Sequence, residues 1–218
     1  LYVAGMGLFD SVCHAFGTLA TGGFSTKNAS IAAYDSSTIH WIITIFMFLA
    51  GANFSLHIRA ISGNFFYVFK DVELRTYFFI CTFSSLAIAA FLYYTSPDES
   101  FSIYIRDSAF QIVSILTTTG FVSADYTLWP FLAQFLIFST MLIGGCGGST
   151  GGGVKVIRVL ILIKGSLAEL RKFLHPQAVM QSKVGGNPVK EDVQLNVNCF
   201  FILYVLTVIV TGGLLAAT

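Results

Sequence analysis

The sequence predicts an all-α integral membrane protein built from repeated units arranged about a central axis. The 218 residues are 55% hydrophobic and only 11% charged, whereas a soluble domain carries about a quarter charged residues. Several uncharged runs are long enough for membrane-spanning helices, which need roughly 20 residues. One shorter helical segment also occurs twice in nearly the same form. Together these observations predict helical spans separated by a duplicated, shorter element.

The duplicated segment begins with Asp-Ser, continues with a mostly apolar stretch and ends in a hydroxyl- and glycine-rich sequence that closes with Gly-Phe. Its copies cover residues 10–24 and 107–121, an offset of 97 positions from residue 10 to residue 107. Each copy is too short to cross a bilayer as a helix. Non-helical backbone at membrane depth is tolerated only where protein buries it or where it lines a water-filled path. We therefore expect two half-helices that enter the membrane and turn back beside a pore.

Four apolar runs supply the expected full spans. These runs cover 38–57, 76–95, a stretch that starts near Trp129 and Pro130, and 193–218. The resulting unit of span, pore helix, filter and second span makes the predicted fold similar to that of potassium channels. Applied along the chain, it gives the end of one unit at 1–59, a cytoplasmic loop at 60–75, a complete unit with a cytoplasmic helix at 76–175, a second cytoplasmic loop at 176–192 and the first span of another unit at 193–218.

Repeats of this kind pack pseudo-symmetrically about an axis. Two filter segments cannot enclose a pore alone, so we expect the chain to be part of a longer protein.

The basic residues indicate how the spans are oriented. Threading the predicted spans through the membrane in order places Lys27 and Arg106 on one side and ten basic residues on the other. The ten are Arg59, Lys70, Arg75, Lys155, Arg158, Lys164, Arg171, Lys172, Lys183 and Lys190. Because Lys and Arg concentrate in cytoplasmic loops, the duplicated turns should open outwards. We expect a multi-pass protein of the plasma, or inner, membrane whose basic helix 155–175 faces the cytoplasm.

The end of each duplicated helix has the composition of a cation filter. Backbone carbonyls, helped by Thr hydroxyls, can replace the water shell of K+. Glycine adopts positive φ without steric cost, so it allows successive carbonyls to face one axis. The predicted ion ligands are Thr21, Gly22, Gly23, Thr118, Thr119 and Gly120. A simple turn is the alternative for either copy alone, and two copies at one offset favour the filter.

Asp10 and Asp107 stand at the predicted starts of the two short helices. A carboxylate at this position can cap free N–H groups and suits the positive end of the helix dipole. The negative ends would then face the ion. Within the first helix, His14 has Gln111 at the equivalent position of the second copy. We interpret His14 as a packed or hydrogen-bonded side chain.

Residues 144–153 form a glycine run that should break the third span, because each glycine costs a helix about 1 kcal/mol relative to alanine. Phosphate and dinucleotide motifs both fail here, since no Gly-Lys-Ser/Thr is present and Thr150 holds the place of a required glycine. Packing of small residues between helices is one alternative. We favour a flexible gate in the pore, anchored by Lys155 and Arg158. Its glycines are Gly144, Gly145, Gly147, Gly148, Gly151, Gly152 and Gly153.

Other classes of function find little support in the composition. A net charge of +1 gives no reason to expect binding to nucleic acid. The four cysteines lie singly in apolar stretches, which indicates neither a disulfide framework nor a zinc site. No convergent acid–base or metal-binding set suggests an enzyme, and no covalently bound cofactor is expected. A non-conducting membrane scaffold or accessory subunit remains the alternative to an ion pathway.

Residues 20–26, 117–121 and, above all, 143–158 resemble the Trk/Ktr/HKT superfamily of potassium transporters, and 174–179 resembles its cytoplasmic segment. The resemblance implies four repeats, with K+ held at the residues named above. It implies a homodimer in membrane lipid, on a cytosolic nucleotide-binding regulatory ring of the TrkA type through which ATP or NADH sets the gate. By this resemblance the chain holds the second and third repeats and the opening of the fourth, and it should not conduct alone. Whether transport is symport or passive stays open.

Overall fold

The computed structural model describes residues 1–63, 65–96, 99–174 and 182–217. These residues are mostly helical. They divide into two compact units, Leu1–Lys155 and Val156–Thr218. The predicted end of the basic helix near His175 and Pro176 lies outside the described residues.

Seven helices make up the described part of the first unit. They are α1 (Leu8–Leu19), α2 (Ser37–Ala50), α3 (Phe54–Ile61), α4 (Phe65–Val68), α5 (Val72–Thr95), α6 (Phe101–Leu116) and α7 (Phe131–Met141). Short 3-10 turns lie at Tyr2–Ala4, Ser30–Ala33 and Tyr126–Leu128. A buried apolar cluster joins α5, α6 and α7 through Ile88, Leu92, Ile112, Ala133 and Ile137. Because α6 also packs against α2, it is the central helix of this unit.

The second unit contains two helices, α8 (Val156–Leu174) and α9 (Glu191–Ala216), within its described residues. Between them lie two short antiparallel strands, β1 (Lys183–Val184) and β2 (Asn187–Pro188). Gly185 and Gly186 connect the strands with φ of 60° and 85°, as a tight hairpin turn requires. The Arg158 guanidinium lies 4.2 Å from the centre of the Phe200 ring, so a cation–π contact links α8 to α9.

Two of the described helices, Val72–Thr95 and Glu191–Ala216, are long and apolar enough to cross a membrane. They correspond to the spans expected over 76–95 and 193–218, and each begins slightly earlier than expected. The expected loop 60–75 is correspondingly shorter and contains α4. The apolar helix α7 has 11 residues, which is less than a bilayer crossing needs.

The span expected over 38–57 is not one continuous helix, because α2 and α3 are separated by a sharp break, although the bent pair taken together is long and apolar enough for one span. The two helices bend by 100°. In an unbroken helix the Phe54 N–H would donate to the Ala50 carbonyl. Here it donates to Gly148 O at 3.1 Å, and Ala50 O accepts from Thr150 N at 3.3 Å. The glycine run thus supplies the partners that a continuing helix would have supplied.

Two further contacts stabilise this break. Gly51 O accepts from Cys146 N at 2.9 Å, and the Asn53 side chain caps α3 by accepting from Ser55 N at 2.9 Å. A Cβ on Gly51 would overlap the Tyr77 hydroxyl and would lie 2.6 Å from a methyl carbon of Thr117. Glycine is therefore required at the bend for space, since its φ of −77° suits any residue.

At the place of the third expected span the helix stops before the glycine run, so the run lies in non-helical chain, as expected. Helix α7 stops at Met141, and no helix covers 142–155. Gly144, Gly148 and Gly153 have φ of 86°, 70° and 79°, which L-residues with side chains rarely adopt. The alternative in which Gly144, Gly148 and Gly152 line one face of a packed helix is therefore wrong.

We expect Gly51→Ala to destabilise the protein because the added methyl group overlaps Tyr77 and Thr117. Overpacking of this kind costs about 1–3 kcal/mol, so the melting temperature of the detergent-purified protein should fall by several degrees. Gly212→Ala is the matched control, since Gly212 lies in a helix and a Cβ placed on it would meet no neighbouring atom within 4 Å. Equal melting temperatures for the two variants would contradict the steric role of Gly51.

Candidate functional site

Helices α1 and α6 end in turns with the same backbone conformation. In the turn that follows α1, Thr21 and Gly23 have φ of 50° and 65°. In the turn that follows α6, Thr118 and Gly120 have φ of 58° and 85°. The sequence predicts the two glycine pivots but not the two threonines. A positive φ is uncommon for threonine and costs free energy, so it persists only where the surroundings impose it.

The same backbone hydrogen bonds close both turns. Gly22 N donates to Gly17 O at 2.9 Å, and Thr119 N donates to Ser114 O at 2.9 Å. The backbone N–H groups of the residues directly before and after Gly22 donate to carbonyls at the same relative positions as those that accept from the residues directly before and after Thr119. The duplicated sequence therefore produces a duplicated local structure, which we call the first turn (21–23) and the second turn (118–120).

The two turns are in direct contact. A Cβ on Gly23 would overlap the Thr119 carbonyl oxygen and would lie 3.2 Å from the Gly120 carbonyl carbon. Beyond the second turn, Val122 N donates to Ser30 Oγ at 3.2 Å, and Val122 O accepts from Ala32 N at 3.0 Å. The structure thus brings the predicted ion ligands together as two adjoining turns.

The threonine side chains in these turns have different surroundings. Thr119 is 3% exposed and its hydroxyl lies 2.7 Å from that of the buried Thr117. The Thr118 hydroxyl instead accepts from Gly152 N at 2.6 Å. In the first turn, the Thr21 hydroxyl donates to Ala20 O at 2.7 Å. All three hydroxyls are engaged with protein, which leaves backbone carbonyls as the groups best suited to a ligand.

Asp10 does not cap its helix in the expected way. It lies close to the N-terminus of α1. There its carboxylate accepts from the Thr26 hydroxyl at 2.6 Å and the Tyr34 hydroxyl at 2.9 Å. Lys27 Nζ lies 3.6 Å away. The hydrogen bonds from Thr26 and Tyr34 lower the pKa of the Asp10 carboxyl below its ordinary value. Asp10 therefore ties the chain that follows the first turn back to the start of α1.

Asp107 is not at the start of α6, which corrects the second expected cap. The helix begins at Phe101, so Asp107 lies well inside it. Its carboxylate pairs with Arg106 Nε at 2.8 Å. Arg106 also donates to Ser37 Oγ at 2.9 Å, which connects α6 to the beginning of α2.

The glycine run forms a loop whose two ends are joined. Lys155 N donates to Ile143 O at 2.8 Å, and the Lys155 ammonium donates to Gly151 O. Gly144 and Gly153 approach so closely that a Cβ on Gly153 would lie 2.7 Å from Gly144 Cα. Lys155 itself has φ of 82°, which is strained for a residue with a side chain. The expected anchoring role of Lys155 agrees with these contacts.

The loop contacts the ends of both duplicated helices. Thr150 Oγ1 donates to Leu19 O, the last residue of α1, at 3.1 Å. Gly152 N donates to the Thr118 hydroxyl in the second turn, and a Cβ on Gly151 would lie 2.9 Å from Thr117 O. These bonds hold the loop against the end of α1 and against the second turn.

Glu73 holds the apex of the loop and was not predicted from the sequence. It lies in the first turn of α5, and its carboxylate accepts from Gly147 N at 2.6 Å. Next to Gly147, Cys146 is fully buried. In the sequence Glu73 is one of several charges between two apolar runs, so no pattern marks it.

The fold and the site define a mostly helical membrane protein with a duplicated helix–turn element and a glycine-rich loop. The sequence model of the TrkH family, described as a cation transport protein, matches residues 2–218. The chain therefore belongs to the TrkH family, which confirms the resemblance seen in the sequence.

Individual relatives show the same likeness over nearly all of the chain. The Trk system potassium uptake protein TrkH of Escherichia coli K12 is 39% identical over 219 aligned positions, which are 100% of this chain and 45% of that protein. TrkH of Vibrio parahaemolyticus is 40% identical over 216 positions, 96% of this chain and 44% of that protein. The crystal structure of the potassium transporter TrkH from Vibrio parahaemolyticus has a TM-score of 0.91 at 38% identity, covering 96% of this chain and 45% of that one. The chain thus spans less than half the length of these relatives.

We expect Glu73→Ala to free the apex of the loop and to expose Cys146. Losing a hydrogen bond to a charged group costs about 1.5–3 kcal/mol, so maleimide labelling of Cys146 should become about tenfold faster or more. The measurement uses a background in which Cys13, Cys81 and Cys199 are replaced by alanine.

Asp71→Asn is the control, because Asp71 is a nearby carboxylate whose oxygen caps α5 by accepting from Leu74 N at 2.8 Å. This variant keeps a capping oxygen and should label at the parent rate. Labelling of Glu73→Ala at the parent rate would show that Glu73 does not restrain the loop.

Proposed function

We propose that the chain is part of a potassium uptake transporter in which the turns 21–23 and 118–120 form two walls of the ion filter. The observation that carries this proposal is the shared backbone of the two turns, including positive φ at Thr21 and Thr118. Strained backbone of this kind is maintained where it has a use. Here its use is to direct carbonyl oxygens towards a common axis.

The chemistry of the turns suits a weakly hydrated cation. Rings of carbonyl oxygens replace the hydration shell of K+ in filters of this type. The C-terminal ends of α1 and α6 lead directly into the two turns, and the C-terminal end of a helix carries partial negative charge. Both features favour a cation and disfavour an anion.

The proposed protein needs two further turns from the rest of its polypeptide. Two adjoining turns form only part of a ring, and the chain covers 45% of the Escherichia coli relative. Four repeats about one pore, a homodimer and a regulatory partner of the TrkA type that binds ATP or NADH belong to this proposal. So does the orientation in the inner membrane, with the two turns facing outwards.

We also propose that residues 144–153 gate this pathway. The loop is bonded to Leu19 O and to the Thr118 hydroxyl, so it lies next to the end of each proposed filter wall. Opening requires these bonds, and the bond between Gly147 and Glu73, to break together. The many glycines allow the loop to take another conformation once the bonds are broken.

We expect Gly120→Ser to weaken discrimination between K+ and Na+. No atom lies within 4 Å of a Cβ built on Gly120, but its φ is 85°, so the substitution perturbs the backbone without a clash. Left-handed backbone costs an L-residue roughly 1–2 kcal/mol. Because about 1.4 kcal/mol corresponds to a factor of ten, the preference for Rb+ over Na+ should fall about tenfold. Uptake is measured in proteoliposomes that contain the complete polypeptide.

Gly5→Ser is the matched control, because Gly5 has φ of 102° and equally open surroundings but lies outside both turns. It should leave the preference unchanged. If Gly120→Ser keeps full discrimination, the filter assignment fails. If the unsubstituted protein takes up no Rb+, the alternative of a non-conducting scaffold or accessory subunit is favoured.

Shortening the loop within 145–152 should raise the rate of Rb+ uptake, since the segment next to both turns is removed. The same segment bonds to the break between α2 and α3, so a shortened protein could fail to fold. Glu73→Ala is the second variant, because it releases the loop while leaving the loop sequence intact. Uptake rates equal to that of the unsubstituted protein in both variants would refute the gate.

A further inference from the structure

His14 and Gln111 occupy equivalent positions in α1 and α6, separated by the same offset as the two turns (from residue 14 to residue 111). Both side chains are fully buried. Each one reaches from the middle of its helix to the chain that leaves the adjoining turn. The two residue types differ, but the contacts that their side chains make correspond.

His14 bonds through both ring nitrogens. Its Nδ1 lies 2.7 Å from Asp10 O, and since a carbonyl can only accept, Nδ1 is the donor. In the neutral ring, Nε2 then accepts from the Ser25 hydroxyl at 2.9 Å. The Ser25 oxygen in turn accepts from Lys27 N at 3.1 Å. A complete hydrogen-bonded chain therefore connects α1 to Ser25, two residues beyond Gly23.

Gln111 makes the corresponding contact with a carboxamide. Its Nε2 donates to Ala124 O at 2.9 Å, four residues beyond Gly120. The partner is a backbone carbonyl here, which accepts, whereas in the first copy it is the Ser25 hydroxyl, which donates. In both copies a buried polar side chain on the short helix fixes the segment after the turn.

The His14 ring also contacts the other copy. Its centroid lies 5.7 Å from that of Phe121, the residue that directly follows Gly120. It also meets the Tyr34 ring edge-on, with the ring centroids 5.6 Å apart. A Cβ on Gly17 would lie 3.1 Å from Phe121, so the space around this contact is tightly packed. His14 thus touches the segments that follow both turns.

We propose that His14 and Gln111 are positioning residues that keep the carbonyls of the two turns from moving inward around a smaller ion. This proposal rests on the proposed role of the turns as filter walls. Where a carbonyl filter discriminates by cavity size, carbonyls that move inward serve Na+ as well as K+, so that kind of discrimination needs a restraint behind the carbonyls. The bonds to Ser25 and Ala124 are placed to supply that restraint, because each lies a few residues beyond the glycine of its turn.

The test compares variants of the complete polypeptide in proteoliposomes by the concentration of Na+ that halves Rb+ uptake. His14→Phe keeps an aromatic ring against Tyr34 and Phe121 but removes the bond to Ser25. Ser25→Ala removes the same bond from the other end. We expect each variant to lower the preference for Rb+ about tenfold, as the loss of one hydrogen bond allows. The double variant should be no worse than either single variant.

Two further variants separate positioning from general packing. His14→Gln places the residue of the second copy in the first, and it should restore most of the preference that His14→Phe loses. Gln111→Leu has nearly the same shape without hydrogen bonds, and it should lower the preference like His14→Phe. If His14→Phe fails to fold, Ser25→Ala and Gln111→Leu carry the test.

Unchanged preference in Ser25→Ala and Gln111→Leu would overturn the proposal, as would full additivity of His14→Phe and Ser25→Ala. A different result would refute the proposed function itself. That result is an unsubstituted protein that conducts Rb+ and Na+ equally, or neither ion. The two failures are therefore distinguishable in one set of measurements.

Discussion

The break between α2 and α3 depends on backbone hydrogen bonds that the glycine run supplies. Ending α2 at Ala50 leaves carbonyls and N–H groups that would be costly to bury without partners. Thr150 N, Cys146 N and Gly148 O provide those partners. The chain can therefore bend by 100°, and the loop that permits the bend lies against the end of α1 and against the second turn. The bend between α2 and α3 and the glycine loop 144–153 therefore depend on each other.

Much of this architecture follows from local sequence. The apolar runs predict α5 and α9, and the glycines at 144–153 predict the end of α7. The paired Gly23 and Gly120 predict the two turns. In each case one residue type acts through its own conformational preference or hydrophobicity, so the neighbours in space need not be known.

Most of the features that the sequence does not reveal depend on distant partners. The run at 38–57 is continuous in hydrophobicity, and its break requires contacts from residues almost 100 positions away (148 against 54). Glu73 acts through Gly147, and Asp107 lies inside its helix because residues 101–106 extend the helix before it. Thr21 and Thr118 adopt positive φ although threonine does not favour it. The break after Ala50 and the role of Glu73 are decided by hydrogen bonds between distant residues, which override local preference.

The hydrogen bond from Gly152 N to the Thr118 hydroxyl has a thermodynamic consequence. The backbone of Thr118 belongs to the second turn, and its side chain is bonded to the loop. The conformation of the turn is therefore linked to that of the loop. Linkage is reciprocal: a ligand that steadies the backbone of Thr118 also strengthens the hold on the loop. Release of the loop, conversely, removes one restraint on the strained φ of Thr118. Under the proposed function, ion occupancy of the second turn and the position of the loop are therefore thermodynamically coupled.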